Sequence, residues 1–124
     1  MYILNKLFNL KGRTSIITGA SGFLAEKISY ILADLGSDLI LITRNNKFIN
    51  RYDEKIKKKY PKTKIRKIKC DLSKEKQRKE LIKKLNNQKI NILINNATFK
   101  DNNLIGYASK FKNQSIKKWR ESLE

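Results

Sequence analysis

The chain has 124 residues, of which 40% are hydrophobic, and it carries a formal net charge of +18 at pH 7. A chain of this length forms one domain at most, so we expect residues 1–124 to be a single domain. Its one cysteine, Cys70, excludes an intrachain disulfide and a two-cysteine metal clip, and together with the lack of histidine this suits a reducing, cytoplasmic setting.

Residues 1–13 form a lead-in to the first predicted strand. Asn and Lys interrupt this stretch, so the sequence predicts neither a signal peptide nor a membrane span, which needs about 18 consecutive apolar residues. We expect Leu7, Phe8 and Leu10 to pack beneath the first strand, after which Gly12 makes the turn into it.

A β-branched, apolar run from Thr14 to Thr18 predicts a buried first strand that ends in a glycine-rich turn at Gly19 and Gly22. A helix follows over about residues 22–35. A strand, a glycine turn and a helix N-terminus together favour an anion, because free backbone N–H groups and the positive end of the helix dipole meet there. Glycine is needed where a side chain would block a pyrophosphate. An ordinary strand–helix turn is the alternative interpretation.

Apolar residues at helical spacing predict the inward face of this first helix, and Gly36 is a plausible C-cap. That face would consist of Leu24, Ile28, Ile31, Leu32 and Leu35. Residues 38–43 form a nearly continuous apolar run, which is typical of a strand buried on both faces of a parallel sheet.

Basic residues dominate the next two predicted elements. A helix over about residues 49–60 ends before Pro61, and the alternation of Lys or Arg with Ile over residues 64–70 predicts an edge strand. Ser73 is the expected N-cap of a third helix over about residues 74–86. Its inward face would consist of Leu81, Ile82 and Leu85.

A fourth apolar strand over residues 90–94 is followed by Asn95-Asn96-Ala97, a long polar stretch, and a helix predicted to begin at Ser115. Strands therefore alternate with helices along the chain. With short connections and apolar strands, this order predicts an α/β fold with right-handed parallel crossovers.

Residues 18–25, Thr-Gly-Ala-Ser-Gly-Phe-Leu-Ala, resemble the glycine motif of the short-chain dehydrogenase/reductase family. Residues 71–72 look like the acidic pair that meets the adenine, and residues 95–97 look like that family's Asn-Asn-Ala-Gly motif. Trp119 falls where the helix leading to the catalytic Asn begins. Residues 7–12 and the Gly-Phe-Leu variant resemble most the branch associated with flagellin and surface-sugar modification.

The resemblance implies a Rossmann-like three-layer α/β fold with a parallel sheet of strand order 3-2-1-4, truncated after strand four. The single cofactor-binding domain would then be incomplete at its C-terminus. Because the family's later strands pair beside strand four, we expect residues 90–94 to present a bare apolar edge, prone to aggregation or partner binding. The isolated chain should be poorly stable.

The resemblance also implies a nicotinamide dinucleotide site at the ends of the strands. The pyrophosphate would be contacted by Gly19, Ser21, Gly22, Phe23 and Leu24. The adenosine half would be contacted by Asp71, Leu72, Asn96 and Ala97, with Asn95 tying neighbouring strands together. For the polar residues, a plain turn or a strand-end charge is the alternative interpretation.

Arg44 stands directly after the second strand. An acidic residue about 20 positions beyond the glycine motif would hold the 2′-hydroxyl of NAD, whereas an Arg accommodates the 2′-phosphate of NADP. Arg44 therefore favours NADP over NAD. The alternative is an Arg that simply faces solvent.

The sequence departs from the family pattern at three points. Ala25 replaces the last glycine of the motif, which we expect to weaken cofactor binding rather than abolish it. Thr98 replaces the glycine of Asn-Asn-Ala-Gly. The family's catalytic Ser and Tyr-x-x-x-Lys would fall after Glu124, and the segment from Tyr107 to Lys110 has the wrong spacing. We therefore assign no catalytic residue and expect this chain alone to be inactive.

Two classes of function remain. The first is a cytoplasmic NAD(P)-dependent oxidoreductase that acts on a carbonyl or alcohol and is homo-oligomeric in full-length form. The second is a non-catalytic nucleotide- or nucleic-acid-binding module that uses the basic residues around 55–69. Nucleic acid is the weaker partner, because Tyr52 and Tyr60 are the only aromatic residues near that basic run. A truncated remnant with no function is a further alternative.

Overall fold

The computed structural model describes residues 7–45, 49, 52–98, 115–117 and 120. Within these ranges strands and helices alternate along the chain. The elements are β1 (Thr14–Ile17), α1 (Phe23–Asp34), β2 (Asp38–Thr43), α2 (Asp53–Lys59), β3 (Ile65–Lys69), α3 (Glu75–Leu85) and β4 (Ile92–Ile94). The strands form one parallel sheet in the order β3-β2-β1-β4. The predicted fold class and strand order are confirmed.

Helices cover the sheet on both faces, because neighbouring side chains of a strand point to opposite sides. On one face Ile17 and Leu41 lie in a core with residues of α1 and α2. On the other face Ile16 and Ile40 pack with β3 and with the partly buried leucines of α3. The result is three layers, with β1 and β2 at the centre.

The strand β2 is buried on both faces, as its unbroken apolar run predicts. From Leu39 to Thr43 every residue is buried. The basic strand β3 lies at the edge of the sheet, and Cys70, which follows it, is buried. Burial raises the pKa of the Cys70 thiol, which makes it a weak nucleophile at neutral pH.

Helix α1 ends in a Schellman motif. The Ser37 N–H donates to the Leu32 carbonyl at 2.9 Å and the Gly36 N–H donates to the Ala33 carbonyl at 3.0 Å. Gly36 has a φ of 91°, which confirms it as the glycine that ends the helix. The predicted inward face is wrong at Leu24 and Ile31, which are 61% and 60% exposed.

Small residues take the places at the α1–sheet contact that the larger apolar residues were expected to fill. The buried residues of this helix are Ala25, Ser29, Leu32 and Ala33. Ser29 is accepted there because its hydroxyl donates to the Ala25 carbonyl at 2.7 Å. A hydroxyl that bonds back to its own helix is satisfied without water, so the helix can lie close to the sheet.

Several local expectations were wrong. Helix α2 begins at Asp53 with Tyr52 as its N-cap, so it is shorter than the predicted helix over residues 49–60. Leu7 and Phe8 are 69% and 55% exposed, and only Leu10 of the three packs against the core. An apolar side chain next to a turn can remain in water at small cost.

Helix α3 also differs from its prediction. Lys74 is the N-cap, and the Ser73 hydroxyl instead donates to Asp71 Oδ1 at 2.7 Å, because that carboxylate lies two residues away. Leu81 and Leu85 pack against the second core, whereas Ile82 is 66% exposed. At a 3.6-residue period Ile82 lies about 100° from Leu81 around the helix, so it leaves the inward face.

In the C-terminal region the structure describes residues 115–117 and 120, of which 116, 117 and 120 are helical. Trp119 and the segment 107–110 lie outside the described residues. Among the helices of the described ranges, none has the length and apolar character needed to cross a membrane.

Candidate functional site

The turn between β1 and α1 is held between the two strands that flank β1. The Thr18 N–H donates to the Ile94 carbonyl of β4 at 3.0 Å, and the Ala20 N–H donates to the Ile42 carbonyl of β2 at 2.9 Å. The turn closes on itself through the Gly22 N–H, which donates to the Gly19 carbonyl at 3.0 Å. Its backbone is therefore fixed at the carboxyl edge of the sheet.

The N-terminus of α1 opens directly from this turn. Gly22 is the N-cap, with φ −80° and ψ 154°, and no side chain caps the helix. The first N–H groups of a helix have no partner within the helix. Ser21 and Phe23, which flank the cap, are exposed. These donors and the helix dipole fit an anionic group such as a pyrophosphate.

Gly19 is required by close packing within the protein. Its φ is 61°, and a Cβ at this position would lie 2.7 Å from the Ala97 Cα and 2.9 Å from the Ala97 nitrogen. A Cβ on Gly22 would make only an ordinary contact, at 3.4 Å from the Gly19 carbonyl oxygen. Gly22, rather than Gly19, is the glycine whose open side is available to a ligand.

Side-chain hydrogen bonds join the end of β1 to the loop after β4. The Asn96 side-chain amide donates to the carbonyls of Thr18 and Gly19 at 3.2 and 3.1 Å. The Thr18 hydroxyl accepts the backbone N–H groups of Asn96 and Ala97 at 3.1 and 3.0 Å. We refer to these bonds between Thr18–Gly19 and Asn96–Ala97 as the Thr18–Asn96 clasp.

The clasp corrects one assignment and adds a residue that sequence reasoning missed. The tie between strands that was expected of Asn95 is made by Asn96, and Asn95 is exposed. Thr18 was predicted only as the end of a strand. Its signal was a hydroxyl at the end of the strand, directly before the glycine turn, where a buried polar group needs partners.

Arg44 and Asp71 follow two neighbouring strands, so they come to the same part of the carboxyl edge. The Cys70 N–H donates to the Thr43 carbonyl at 2.8 Å, which brings the two strand ends side by side. Hydrogen bonds from Ser73 lower the pKa of Asp71, and Lys74 and then Arg44 lower it further by their positive charge. Asp71 is therefore ionised at neutral pH. Arg44 is exposed.

Leu72 turns away from this edge. Its side chain packs against the second core, and its carbonyl accepts a hydrogen bond from Arg78 at 2.6 Å. The Asp71 N–H donates to the Gln77 side chain at 2.7 Å. These bonds fix the backbone after β3, so Asp71 offers a side chain to a ligand whereas Leu72 offers main-chain atoms.

Tyr52 also belongs to the site, although the sequence suggested a different use for it. It is 2% exposed, and its hydroxyl donates to the Ala20 carbonyl within the turn at 2.6 Å. Burial raises the pKa of Tyr52 to about 12, against a smaller lowering by the Ser29 side chain. A buried tyrosine cannot stack on a nucleic-acid base, so Tyr52 is excluded as an aromatic contact for nucleic acid.

The sequence pattern of the short chain dehydrogenase family matches residues 13–124. The matched residues include the turn between β1 and α1, the strand ends at Arg44 and Asp71, and the loop after β4. The chain belongs to the short-chain dehydrogenase/reductase family.

Relatives in this family support the assignment by sequence and by structure. The chain is 31% identical over 112 residues to the 3-oxoacyl-[acyl-carrier-protein] reductase of Rickettsia typhi, covering 90% of this chain and 42% of that reductase. A solved NADPH-dependent reductase involved in bacilysin biosynthesis is 26% identical, with a TM-score of 0.69 over 89% of this chain and 45% of the other.

A third relative shares the fold. The 3-oxoacyl (acyl-carrier-protein) reductase of Agrobacterium tumefaciens, solved with NADP bound, is 22% identical and superposes with a TM-score of 0.72 over 97% of this chain and 44% of its own. The chain thus spans less than half the length of these short-chain dehydrogenases/reductases.

Proposed function

We propose that this chain is the cofactor-binding part of an NAD(P)-dependent oxidoreductase that acts on a carbonyl or alcohol, and that it prefers NADP. The observation that carries the proposal is the uncapped N-terminus of α1, which opens from a turn fixed between β2 and β4. N–H groups fixed in this way can donate hydrogen bonds to a pyrophosphate without rearrangement of the backbone. The family match and the NADP-bound relative support it.

Different residues of the site would contact different parts of the cofactor. Ser21, Gly22, Phe23 and Leu24 would meet the pyrophosphate through main-chain N–H groups or the Ser hydroxyl. Gly19 would act there by keeping the turn closed against Ala97. Asp71 and the main chain of Leu72 would meet the adenine, and Asn96 and Ala97 would lie along the adenosine ribose. When bound, the dinucleotide supplies the hydride that such a reaction transfers.

The preference for NADP rests on Arg44. It is exposed and follows β2, at the edge where the adenosine ribose would lie, and its guanidinium can bind a phosphate through two parallel hydrogen bonds. Asp71, the acidic residue at the neighbouring strand end, already accepts hydrogen bonds from Ser73. Arg44 is therefore available to a 2′-phosphate.

The test is a titration with NADPH and with NADH, followed by fluorescence. We expect tighter binding of NADPH in the wild-type protein, and in Arg44→Ala a loss of about tenfold or more for NADPH with little change for NADH. Arg13→Ala is the matched control, because Arg13 is an exposed arginine just before β1, at the opposite edge of the sheet. Equal affinity for both nucleotides, or an unchanged NADPH affinity in Arg44→Ala, would contradict the preference.

A second candidate function is binding of a polyanion. Every charged residue from Lys55 to Lys69 is basic, and most of these side chains lie exposed on α2, β3 and the loop between them. This interpretation predicts binding to a nucleic acid of any sequence that weakens steeply between about 50 and 200 mM salt. Binding of NADPH that survives at the higher salt, without retention of nucleic acid, favours the first function.

A further inference from the structure

The buried hydroxyl of Tyr52, at the start of α2, hydrogen-bonds to the turn between β1 and α1. Tyr52 is the N-cap of α2, and the residue it contacts, Ala20, lies 32 positions earlier in the chain. The donor–acceptor distance is 2.6 Å, at the short end for a hydroxyl and a carbonyl. Both residues are buried, with Tyr52 2% exposed and Ala20 fully buried.

The bond from Tyr52 holds the peptide unit that joins Ala20 to Ser21, next to a unit that the sheet already holds. The Ala20 N–H donates to the Ile42 carbonyl of β2, and the Ala20 carbonyl accepts from Tyr52. These two groups belong to the successive peptide units on either side of the Ala20 Cα, and neither unit can rotate without breaking its bond. The orientation of the following residues, Ser21 and Gly22, is then set by the peptide before them.

Helix α2 is itself fastened to the sheet, which makes Tyr52 a stable anchor. The Lys67 ammonium of β3 lies 2.6 Å from Asp53 Oδ2, and Asp53 is 1% exposed. Asp53 is buried and Lys67 is partly exposed, and loss of Lys67 would leave the buried carboxylate without its nearer cationic partner, which is costly. Ile56, one turn further along, is fully buried in the same core. These contacts hold α2, and with it the Tyr52 side chain, in a fixed position relative to the sheet.

We propose that Tyr52 is a positioning residue that fixes the turn from Gly19 to Gly22 for the pyrophosphate, without contacting the nucleotide. This inference rests on the proposed function, since it concerns the same site. A positioning role and a purely stabilising role of Tyr52 predict different effects on two classes of ligand. Loss of the hydroxyl should weaken ligands that reach the pyrophosphate site and spare ligands that occupy only the adenosine end.

The experiment compares the intact protein with its Tyr52→Phe variant, which keeps the ring and removes the hydroxyl. Two probes are titrated, NADPH and adenosine 2′-monophosphate, which has the 2′-phosphate and lacks the pyrophosphate. We expect NADPH to bind about three- to tenfold more weakly to the variant, as for loss of one hydrogen bond, with adenosine 2′-monophosphate unchanged. Tyr60→Phe, which removes a half-buried hydroxyl at the other end of α2, should change neither.

A second measurement uses no nucleotide. In hydrogen–deuterium exchange of the free protein, the amides of Ala20 and Gly22 should exchange faster in Tyr52→Phe than in the wild type, whereas amides of β2 should not. Faster exchange limited to the turn supports the tie between Tyr52 and Ala20.

The outcomes separate the two claims. A wild-type protein that binds neither probe overturns the proposed function and the inference with it. A wild-type protein that binds both overturns the inference alone if Tyr52→Phe loses the same factor for each probe, or if it loses affinity for neither. A Tyr52→Phe variant that does not fold overturns the inference as well, because the hydroxyl then supports the whole fold.

Discussion

Gly19 and Gly22 stand in the same turn for different physical reasons. Gly19 combines a positive φ with backbone atoms of Ala97 at a distance that no Cβ can share. Gly22 has a φ of −80°, which any residue adopts, and has room for a Cβ. A sequence shows two glycines of equal standing, because neither the φ nor the neighbour from the other strand can be read from it.

We predict that Gly19→Ala lowers the free energy of unfolding by about 2–4 kcal/mol, from strained backbone and the clash with Ala97. Gly22→Ala should cost less than about 1 kcal/mol, since it only replaces an N-cap glycine, yet it should weaken NADPH binding by placing a methyl at the ligand's side. Urea unfolding and a nucleotide titration measure the two effects. Equal stability losses in both variants would refute the distinction.

Tyr52 should also leave a signature in alkaline solution. Its pKa is raised to about 12 chiefly by burial, so the folded protein holds the phenol proton more tightly than the unfolded chain does. This contribution to stability is complete below about pH 10 and is lost as the pH rises through about 12. The measurement is the difference between wild type and Tyr52→Phe in urea unfolding from pH 9 to 12, in which contributions common to both proteins cancel. A constant difference across that range would count against the buried phenol.

At the scale of single elements, α3 buries less of its surface against the sheet than α1 or α2 does. No residue of α3 is fully buried, and its apolar contacts come from the partly buried Leu81 and Leu85. Leu81→Ala should therefore lower the free energy of unfolding by about 1–2 kcal/mol, roughly half the cost at a buried site. Ile82→Ala is the control and should stay within about 0.5 kcal/mol. Urea denaturation decides, and a larger loss in Ile82→Ala would mean that Ile82 faces the core after all.

The elements also show where sequence patterns succeed and fail. Strand β2 matched its prediction to the residue, because a continuous apolar run between Gly36 and Arg44 admits few other structures. The inward face of α1 was only partly right. Hydrophobicity alone favours Leu24 and Ile31, whereas the close contact with the sheet is made by Ala25 and Ser29.

For the molecule as a whole, the strand order could be predicted because the motifs resemble those of a family with the order 3-2-1-4, and because charge marks β3 as an edge strand. The contacts of the site could not be predicted to the same extent. Arg44 and Asp71 were expected at the carboxyl edge, and they lie at adjacent strand ends there. The bond from Tyr52 to Ala20 escaped, because no local pattern marks a contact between residues so distant in sequence.

The strand β4 leaves one edge of the sheet open among the described residues. Among the described residues β4 pairs with β1 alone, and Leu93, whose register partner is Ile16, is 57% exposed. We predict that Leu93→Lys reduces self-association of a polypeptide comprising residues 1–124, because a charge at an exposed edge discourages strand pairing. Sedimentation velocity at increasing concentration measures this, with Ile82→Lys as the control on α3. Unchanged association in Leu93→Lys would show that this edge is not the adhesive surface.

The Thr18–Asn96 clasp makes the turn between β1 and α1 and the end of β4 open and close together. Opening one breaks the hydrogen bonds of the other, so a ligand that binds only the closed turn also suppresses the opening of β4. By linkage the effect is reciprocal, and an interaction that keeps the end of β4 closed would tighten a nucleotide bound at the turn, as proposed above, by the same free energy. A cofactor bound as proposed would thus stabilise the end of β4 through the clasp.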